Sequence, residues 1–149
     1  MEASQLIKFK ELLTAINQIN GVTSTNTFLF ISGTTVTTKT GLSLYDLNNF
    51  DYVMVFGDYK WNYGDYTNQS AKLIGFFNKE LELINSIPVN EKTRIKGVNF
   101  TTYPGTYYNE YKPIFICEKQ NGDSVTVQLD NGNGWSKDFQ NLYNKVNEL

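Results

Sequence analysis

The chain of 149 residues contains no histidine, one arginine (Arg94) and one cysteine (Cys117). Without histidine it cannot form Ser-His-Asp or Cys-His catalytic arrangements, and it lacks the commonest general base and zinc ligand. The single cysteine excludes an intramolecular disulfide. Because it follows an apolar run, we expect it to be a buried small hydrophobe. We therefore predict a protein that is not an enzyme and that uses no metal or cofactor.

The chain also lacks any cluster of positive charge. Its thirteen Lys and Arg residues are scattered, and the net charge is −2. A groove that follows a phosphate backbone normally needs clustered Lys and Arg, so we expect no nucleic-acid binding.

Long hydrophobic runs are absent as well. No segment reaches the roughly 18 apolar residues of a membrane span, and the N-terminus does not have the basic-then-apolar order of a signal peptide. We expect a soluble protein, made in the cytoplasm and not inserted in a membrane.

The order of patterns along the chain predicts a mainly β (α+β) fold. A helix at each end encloses about seven to nine short strands with frequent turn signals, which is typical of an antiparallel β-sandwich or barrel-like domain. We divide the chain into an N-terminal helix at residues 1–22 and a sandwich-like domain at residues 23–149. This domain ends in an amphipathic helix at residues 136–149, whose apolar face we expect to cover one side or edge of the sheet.

The N-terminal helix permits two interpretations. Its apolar residues recur every three or four positions, so it can pack on its own domain or act as a short self-associating stem. The candidate oligomerisation residues are Leu6, Phe9, Leu13 and Ile16.

Alternation and turn signals place the strands. They are predicted at residues 27–32, 34–40, 42–45, 52–56, 72–77, 80–87, 93–103, 112–118 and 124–129. The Asn121-Gly122 pair predicts a hairpin between the last two, and Gly97 predicts a bulge.

Aromatic residues separate into two groups. Most Phe residues lie in apolar strands, as core residues do, whereas many Tyr and both Trp residues lie in polar stretches. Tyr and Trp provide large rigid contact areas with a polar tip, which suits recognition. The alternative is that they close the ends of the sheet. We interpret residues 59–66 as an aromatic loop, and the candidate binding residues are Tyr59, Trp61, Tyr63, Tyr66, Tyr103, Tyr107, Tyr108 and Trp135.

Other constellations are weaker. Asp58 and Asp65 could form a glycosidase pair, and Glu110 is a further candidate acid, but aspartates beside Gly and Asn usually form turns. Residues 130–134 are rich in oxygen ligands but lack the distant Glu of a calcium loop. Residues 33–41 lack the Gly-Lys-Ser/Thr order of a phosphate-binding loop.

Residues 27–77 resemble the β-rich C-terminal domains of bacteriophage tail fibres and related virion appendages. The order is TFLFISGTT, LSLYDL, NNFDY and VMVFGDY. The matching residues are Leu42, Ser43, Leu44, Asn49, Phe50, Asp51, Tyr52 and Val53. The resemblance implies a homotrimeric virion protein with an N-terminal attachment helix, although such fibres usually end in strands rather than a helix.

Two functions follow as hypotheses. The first is a non-enzymatic virion attachment protein that presents aromatic loops to a host glycan or protein. The second is a small phage or mobile-element inhibitor that binds a host protein or sequesters a small ligand. The location would then be the virion or the host cytoplasm.

Overall fold

The structure is a computed structural model that describes residues 3–19, 25–40, 50–63, 66–101, 112–128 and 135–149. These residues form nine strands in two antiparallel sheets, with two helices. The predicted mainly β class is confirmed, and the strands form two sheets rather than a closed barrel.

The first sheet, sheet A, has five strands in the order β2-β1-β3-β4-β5. Its strands are β1 (Thr25–Ser32), β2 (Thr35–Thr40), β3 (Tyr52–Tyr63), β4 (Tyr66–Asn78) and β5 (Leu83–Ile84). The second, sheet B, follows chain order as β6 (Ile87–Pro88), β7 (Thr93–Thr101), β8 (Lys112–Lys119) and β9 (Ser124–Gln128). The helices are α1 (Ala3–Asn17) and α2 (Trp135–Asn147).

The larger core lies between the two sheets and α2. It joins Phe56 of β3, Phe115 of β8 and Phe139 of α2, with ring centroids 5.8 Å apart for Phe56–Phe139 and 5.7 Å for Phe115–Phe139. Cys117 is fully buried there, as predicted. This core makes the two sheets and α2 one packing unit.

The opposite face of sheet A packs against α1. Leu12 and Ile16 of the helix share a second buried cluster with Val53 and Val55 of β3. Because alternate residues of β3 serve different clusters, this strand is buried on both faces, and its sequence is accordingly apolar without alternation.

The sandwich is closed differently on its two sides. On one side the chain passes directly from β5 of sheet A to β6 of sheet B. On the other, α2 packs along the edge strand β2 and also contacts β9. The prediction that the C-terminal helix covers an edge of the sheet is therefore confirmed.

Two local predictions are confirmed and one is wrong. Gly122, with φ 90°, lies in the turn between β8 and β9, and the β7–β8 register shifts at Gly97. The strand predicted at residues 80–87 is instead a turn followed by the two-residue strands β5 and β6. The strand predicted at 42–45 lies outside the described residues.

Candidate functional site

The predicted aromatic loop is a hairpin in the structure. Residues 59–63 continue β3 and Tyr66 begins β4, so only residues 64 and 65 separate the strands. Tyr and Trp favour strands, and the sequence from Asp58 to Tyr63 alternates polar and aromatic residues. That alternation, followed by Gly-Asp, is the signal that the loop interpretation missed.

The hairpin extends beyond the other strands of sheet A that the structure describes. Among the described residues, β1 pairs with β3 no further than Gly57, and β5 pairs with β4 only at Phe76 and Phe77. Within the described part of the chain, β3 pairs only with β4 from Asp58 to Tyr63. We call residues 58–63 and 66–71 the hairpin arm. Six residues at about 3.3 Å each give it a length of roughly 20 Å.

Register separates the positions of the arm into two faces. The aromatic face contains the pairs Tyr59–Ser70, Trp61–Asn68 and Tyr63–Tyr66. The other face contains Asp58–Ala71, Lys60–Gln69 and Asn62–Thr67. Since alternate strand positions share a face, four of the predicted binding residues belong to one face of one element.

The strand directions define two ends of the sandwich. Arg94 near the start of β7, Tyr52 at the start of β3 and Asn78 at the end of β4 line one cavity, at what we call the cleft end. β3 runs from there towards the arm, and β7 leaves the same end. The arm therefore lies at the opposite end, which we call the hairpin end. The last residues of β7 and the first residues of β8 lie at this end too.

The remaining predicted aromatics are attached to strands and a helix that reach this same end. Tyr103, Tyr107 and Tyr108 lie outside the described residues, in the connection between Thr101 and Lys112. Trp135 is the first residue of α2, not a loop residue as predicted. The C-terminal end of α2 lies at the cleft end, where Asn90 Nδ2 donates to the Asn147 carbonyl at 2.9 Å.

The predicted oligomerisation stripe is partly used within the molecule. Ile16 is 1% exposed in the cluster between α1 and sheet A, and Leu13 is half-buried. For Leu6 and Phe9 the structure places the helix backbone. At Ile16 the packing interpretation of this helix is the one found.

The candidate acids and the thiol form no catalytic group within the described residues. Asp58 belongs to the face of the arm opposite the aromatic face, while Asp65 and Glu110 lie outside the described residues. Burial raises the pKa of Cys117 to about 11, so its thiol is protonated and a poor nucleophile at neutral pH. Within the described residues, no three His, Cys, Asp or Glu side chains cluster as metal ligands.

A hydrogen-bonded connection links α2 to the cleft end. Tyr143 Oη donates to the Gly33 carbonyl at 3.2 Å, and the Gly33 N–H donates to Asp51 Oδ2 at 2.9 Å. The pKa of Tyr143 is raised by burial and then by the charge of Asp51. These contacts fix the turn between β1 and β2 and orient Asp51 beside the cleft.

The sequence did not predict the cleft itself. It is an open cavity of about 710 Å³, whose lining includes Asp51, Lys79, Glu80 and Arg94. These residues come from the position before β3, the β4–β5 turn and β7, and no local pattern connects them.

Neither of the two helices that the structure describes is long and apolar enough to cross a membrane. Comparison with protein-family models, with curated proteins and with solved structures finds no match for this chain.

Proposed function

We propose that the chain is a non-enzymatic binding module that docks on a protein partner through the aromatic face of its hairpin arm. The observation that carries this proposal is the arm's register, which gathers Tyr59, Trp61, Tyr63 and Tyr66 on one face of a two-stranded extension. An isolated two-stranded hairpin is marginally stable in water. Aromatic residues on such an arm therefore favour a partner rather than a core as their contact.

The chemistry of the arm favours recognition. Trp and Tyr are enriched among the residues that dominate binding energy, because they bury a large area at a small cost in side-chain entropy. The absence of histidine from the chain removes the commonest general base.

The edge of the arm favours a protein over a glycan. Residues 66–71 of β4 read YTNQSA and carry no charge, whereas natural sheet edges are usually protected by charges, proline or bulges. An uncharged edge can accept an added strand from a partner through main-chain hydrogen bonds. The aromatic face would then supply the specificity.

We place this module in a phage virion, as an attachment component. The resemblance of residues 27–77 to tail-fibre domains supports this setting. Of its residues, Phe50 and Asp51 directly precede β3, which begins with Tyr52 and Val53. An inhibitor of a host protein could use the same arm. Mass spectrometry of purified virions distinguishes the two functions. An attachment component is present in the virion at a fixed stoichiometry, whereas an inhibitor is absent from it.

The docking surface is tested by comparing Trp61→Ala with Asn62→Ala. Trp61 belongs to the aromatic face, and Asn62 is the neighbouring position on the other face. Quantitative affinity purification from cells in which the protein occurs should recover one stoichiometric partner with the wild type and with Asn62→Ala. Trp61→Ala should weaken that complex about 30-fold or more, as expected for an interface residue worth about 2 kcal/mol.

Thermal unfolding must first show that both variants are folded. A partner retained equally by Trp61→Ala would contradict the assignment of the aromatic face. Binding to immobilised host glycans that is lost in Trp61→Ala would replace the protein partner by a glycan.

A further inference from the structure

The cleft has the size and the position of a second binding site. Its cavity of about 710 Å³ adjoins another of about 430 Å³, and both are lined by Asp51, Lys79 and Glu80. Volumes of about 300–1,000 Å³ are usual for small-molecule sites. The cleft lies at the end of the sandwich opposite the hairpin arm, so it is a separate site.

The rim of the cleft is rigidly built. Asn78 Oδ1 accepts hydrogen bonds from the backbone N–H groups of Glu80 and Glu82, at 3.0 and 2.9 Å. Leu81 between them has φ 63° and is only 7% exposed. A non-glycine residue persists in this conformation only where its surroundings determine it, and such residues concentrate at binding sites. The turn thus holds Lys79 and Glu80 at the rim.

The guanidinium of Arg94 is oriented by one residue. Its Nε donates to Ser86 Oγ at 2.7 Å, and Nη2 lies 3.4 Å from the Ser86 carbonyl oxygen. Arginine has five N–H donors, so these two bonds leave most of the donors available. Within the described part of the chain, Arg94 forms no ion pair.

Two lysines in the cavity linings resemble Arg94 in forming no ion pair within the described part of the chain. Lys79 lines both cavities, and Lys8 lines the smaller one with its Nζ 5.0 Å from the centre of the Phe50 ring. Neither lysine forms an ion pair with a described carboxylate. The carboxylates among the described lining residues are Glu80 and Asp51, whose Oδ2 accepts a hydrogen bond from the Gly33 N–H. The described linings of the two cavities therefore contain three cations and two carboxylates, and no ion pair joins them.

We propose that the cleft binds a carboxylated sugar, with the ligand carboxylate on Arg94 and ligand hydroxyls on Asp51 and Glu80. A guanidinium matches a carboxylate with two parallel hydrogen bonds, and it is already held in place by Ser86. Asp51 and Glu80 can only accept hydrogen bonds when ionised, which suits hydroxyl groups. A ligand with one carboxylate and several hydroxyls satisfies both sets, whereas a simple anion satisfies only the first.

The presence of one arginine in the chain provides a direct reporter. In a ¹⁵N-labelled sample of the full chain, the side-chain Nε–H signal of Arg94 is unique and can be followed by NMR. We expect methyl β-glucuronide to shift this signal at concentrations at least tenfold lower than methyl β-glucoside, which differs only in having CH₂OH for the carboxylate. Sodium acetate should bind at least tenfold more weakly than the glucuronide.

Variants then test the assigned roles, with backbone amide signals of the rim as the readout. Arg94→Gln should reduce the preference for glucuronide over glucoside to less than twofold, and Arg94→Lys should retain only part of it. Lys96→Gln is the matched control. Lys96 lies on the same strand, pairs with Glu118 at 2.6 Å and does not line the cleft, so its removal should leave the preference unchanged.

The outcome for Glu80→Gln depends on the role of Glu80. If it accepts a sugar hydroxyl, glucuronide binding weakens severalfold, and if it only repels the ligand carboxylate, binding strengthens. Equal binding of acetate and glucuronide, a preference that survives Arg94→Gln, or tighter binding by Glu80→Gln would each overturn the proposal. Trp61→Ala should leave glucuronide binding unchanged, so this proposal and the hairpin proposal fail separately.

Discussion

Leu81 adopts a left-handed backbone conformation, with φ 63°, while its side chain lies in the cluster beneath α1. This conformation costs a leucine about 1–2 kcal/mol, because Cβ approaches the neighbouring carbonyl. Burying the side chain offsets that cost. The alternation in ELELI predicted a strand here, but the side chain of Asn78 instead organises a turn. Local turn chemistry therefore overrides the strand pattern.

Substitutions at Leu81 can test whether its backbone conformation is strained. Leu81→Ala should lower the free energy of unfolding by about 2–4 kcal/mol, because it removes a buried side chain. Leu81→Gly removes the same side chain and also relieves the strained φ, so it should be at least as stable as Leu81→Ala. At Val53, a fully buried strand residue, glycine should be less stable than alanine by about 0.5–1 kcal/mol. Urea denaturation of the four variants measures their free energies of unfolding and so compares glycine with alanine at each position. A Leu81→Gly variant that is clearly less stable than Leu81→Ala would show that the backbone at Leu81 is not strained.

Cys117 links one residue to the pH dependence of stability. Burial raises the pKa of its thiol from 9.0 to about 11. The folded state therefore holds this proton more tightly than the unfolded state does. The contribution of this protonated thiol to the free energy of unfolding is fully present below pH 9, and it is lost as the pH rises to about 11.

The pH effect is isolated by comparison with Cys117→Ala, which keeps every tyrosine and lysine of the wild type. We expect the stability advantage of the wild type over this variant to shrink by about 2 kcal/mol between pH 9 and pH 11. Denaturant midpoints across that range give the difference. A constant difference would show that the buried thiol titrates normally.

The helix α2 protects the edge of sheet A with one side-chain amide. Gln140 Oε1 accepts from the Val36 N–H at 2.5 Å, and Gln140 Nε2 donates to the Thr34 carbonyl at 2.8 Å. A carboxamide has the same donor and acceptor as a peptide unit, so Gln140 occupies the place of a neighbouring strand at this point. Covering an edge in this way prevents pairing with another chain.

Removing this amide should expose its role in two ways. Gln140→Ala should lower the free energy of unfolding by about 1–3 kcal/mol, since the Val36 N–H loses its partner in a partly buried position. Asn141→Ala, at the adjacent exposed position of the same helix, should change it by less than about 0.5 kcal/mol. Hydrogen exchange at Val36 should accelerate in Gln140→Ala alone. Unchanged protection of that amide would mean that the Gln140 side chain does not cap the edge.

At the scale of the whole molecule, local signals predicted the elements, and distant contacts determined the rest. Of the nine predicted strand regions, the one at 42–45 lies outside the described residues and the one at 80–87 is a turn with two short strands. The other seven contain strands, but β3 continues to Tyr63 and β4 already begins at Tyr66, well beyond the predicted bounds of 52–56 and 72–77. The division into two sheets depends on the β5–β6 crossing and on packing between residues far apart in sequence. The cleft could not be predicted, because Asp51, Lys79 and Arg94 come from three separated segments.

The sequence singled out the aromatic stretch, but it did not predict that this stretch forms a hairpin. Alternate placement of Tyr59, Trp61 and Tyr63 is visible in the sequence, yet their polar neighbours suggested a loop. Pairing with β4 turns these positions into one face of a hairpin. The aromatic face and the cleft lie at opposite ends of the sandwich because of the directions of the strands. No local sequence pattern encodes those directions.

The contacts of α2 also affect how the chain folds as it is made. Gln140 lies 104 residues after its partner Val36, and Tyr143 lies 110 residues after Gly33. While the chain is being synthesised, the edge of β2 stays open until residues 135–147 have left the ribosome. Contacts of such long sequence separation form slowly, and uncovered strand edges promote aggregation in that interval. Truncation before α2 should therefore yield a nascent chain that depends on chaperones.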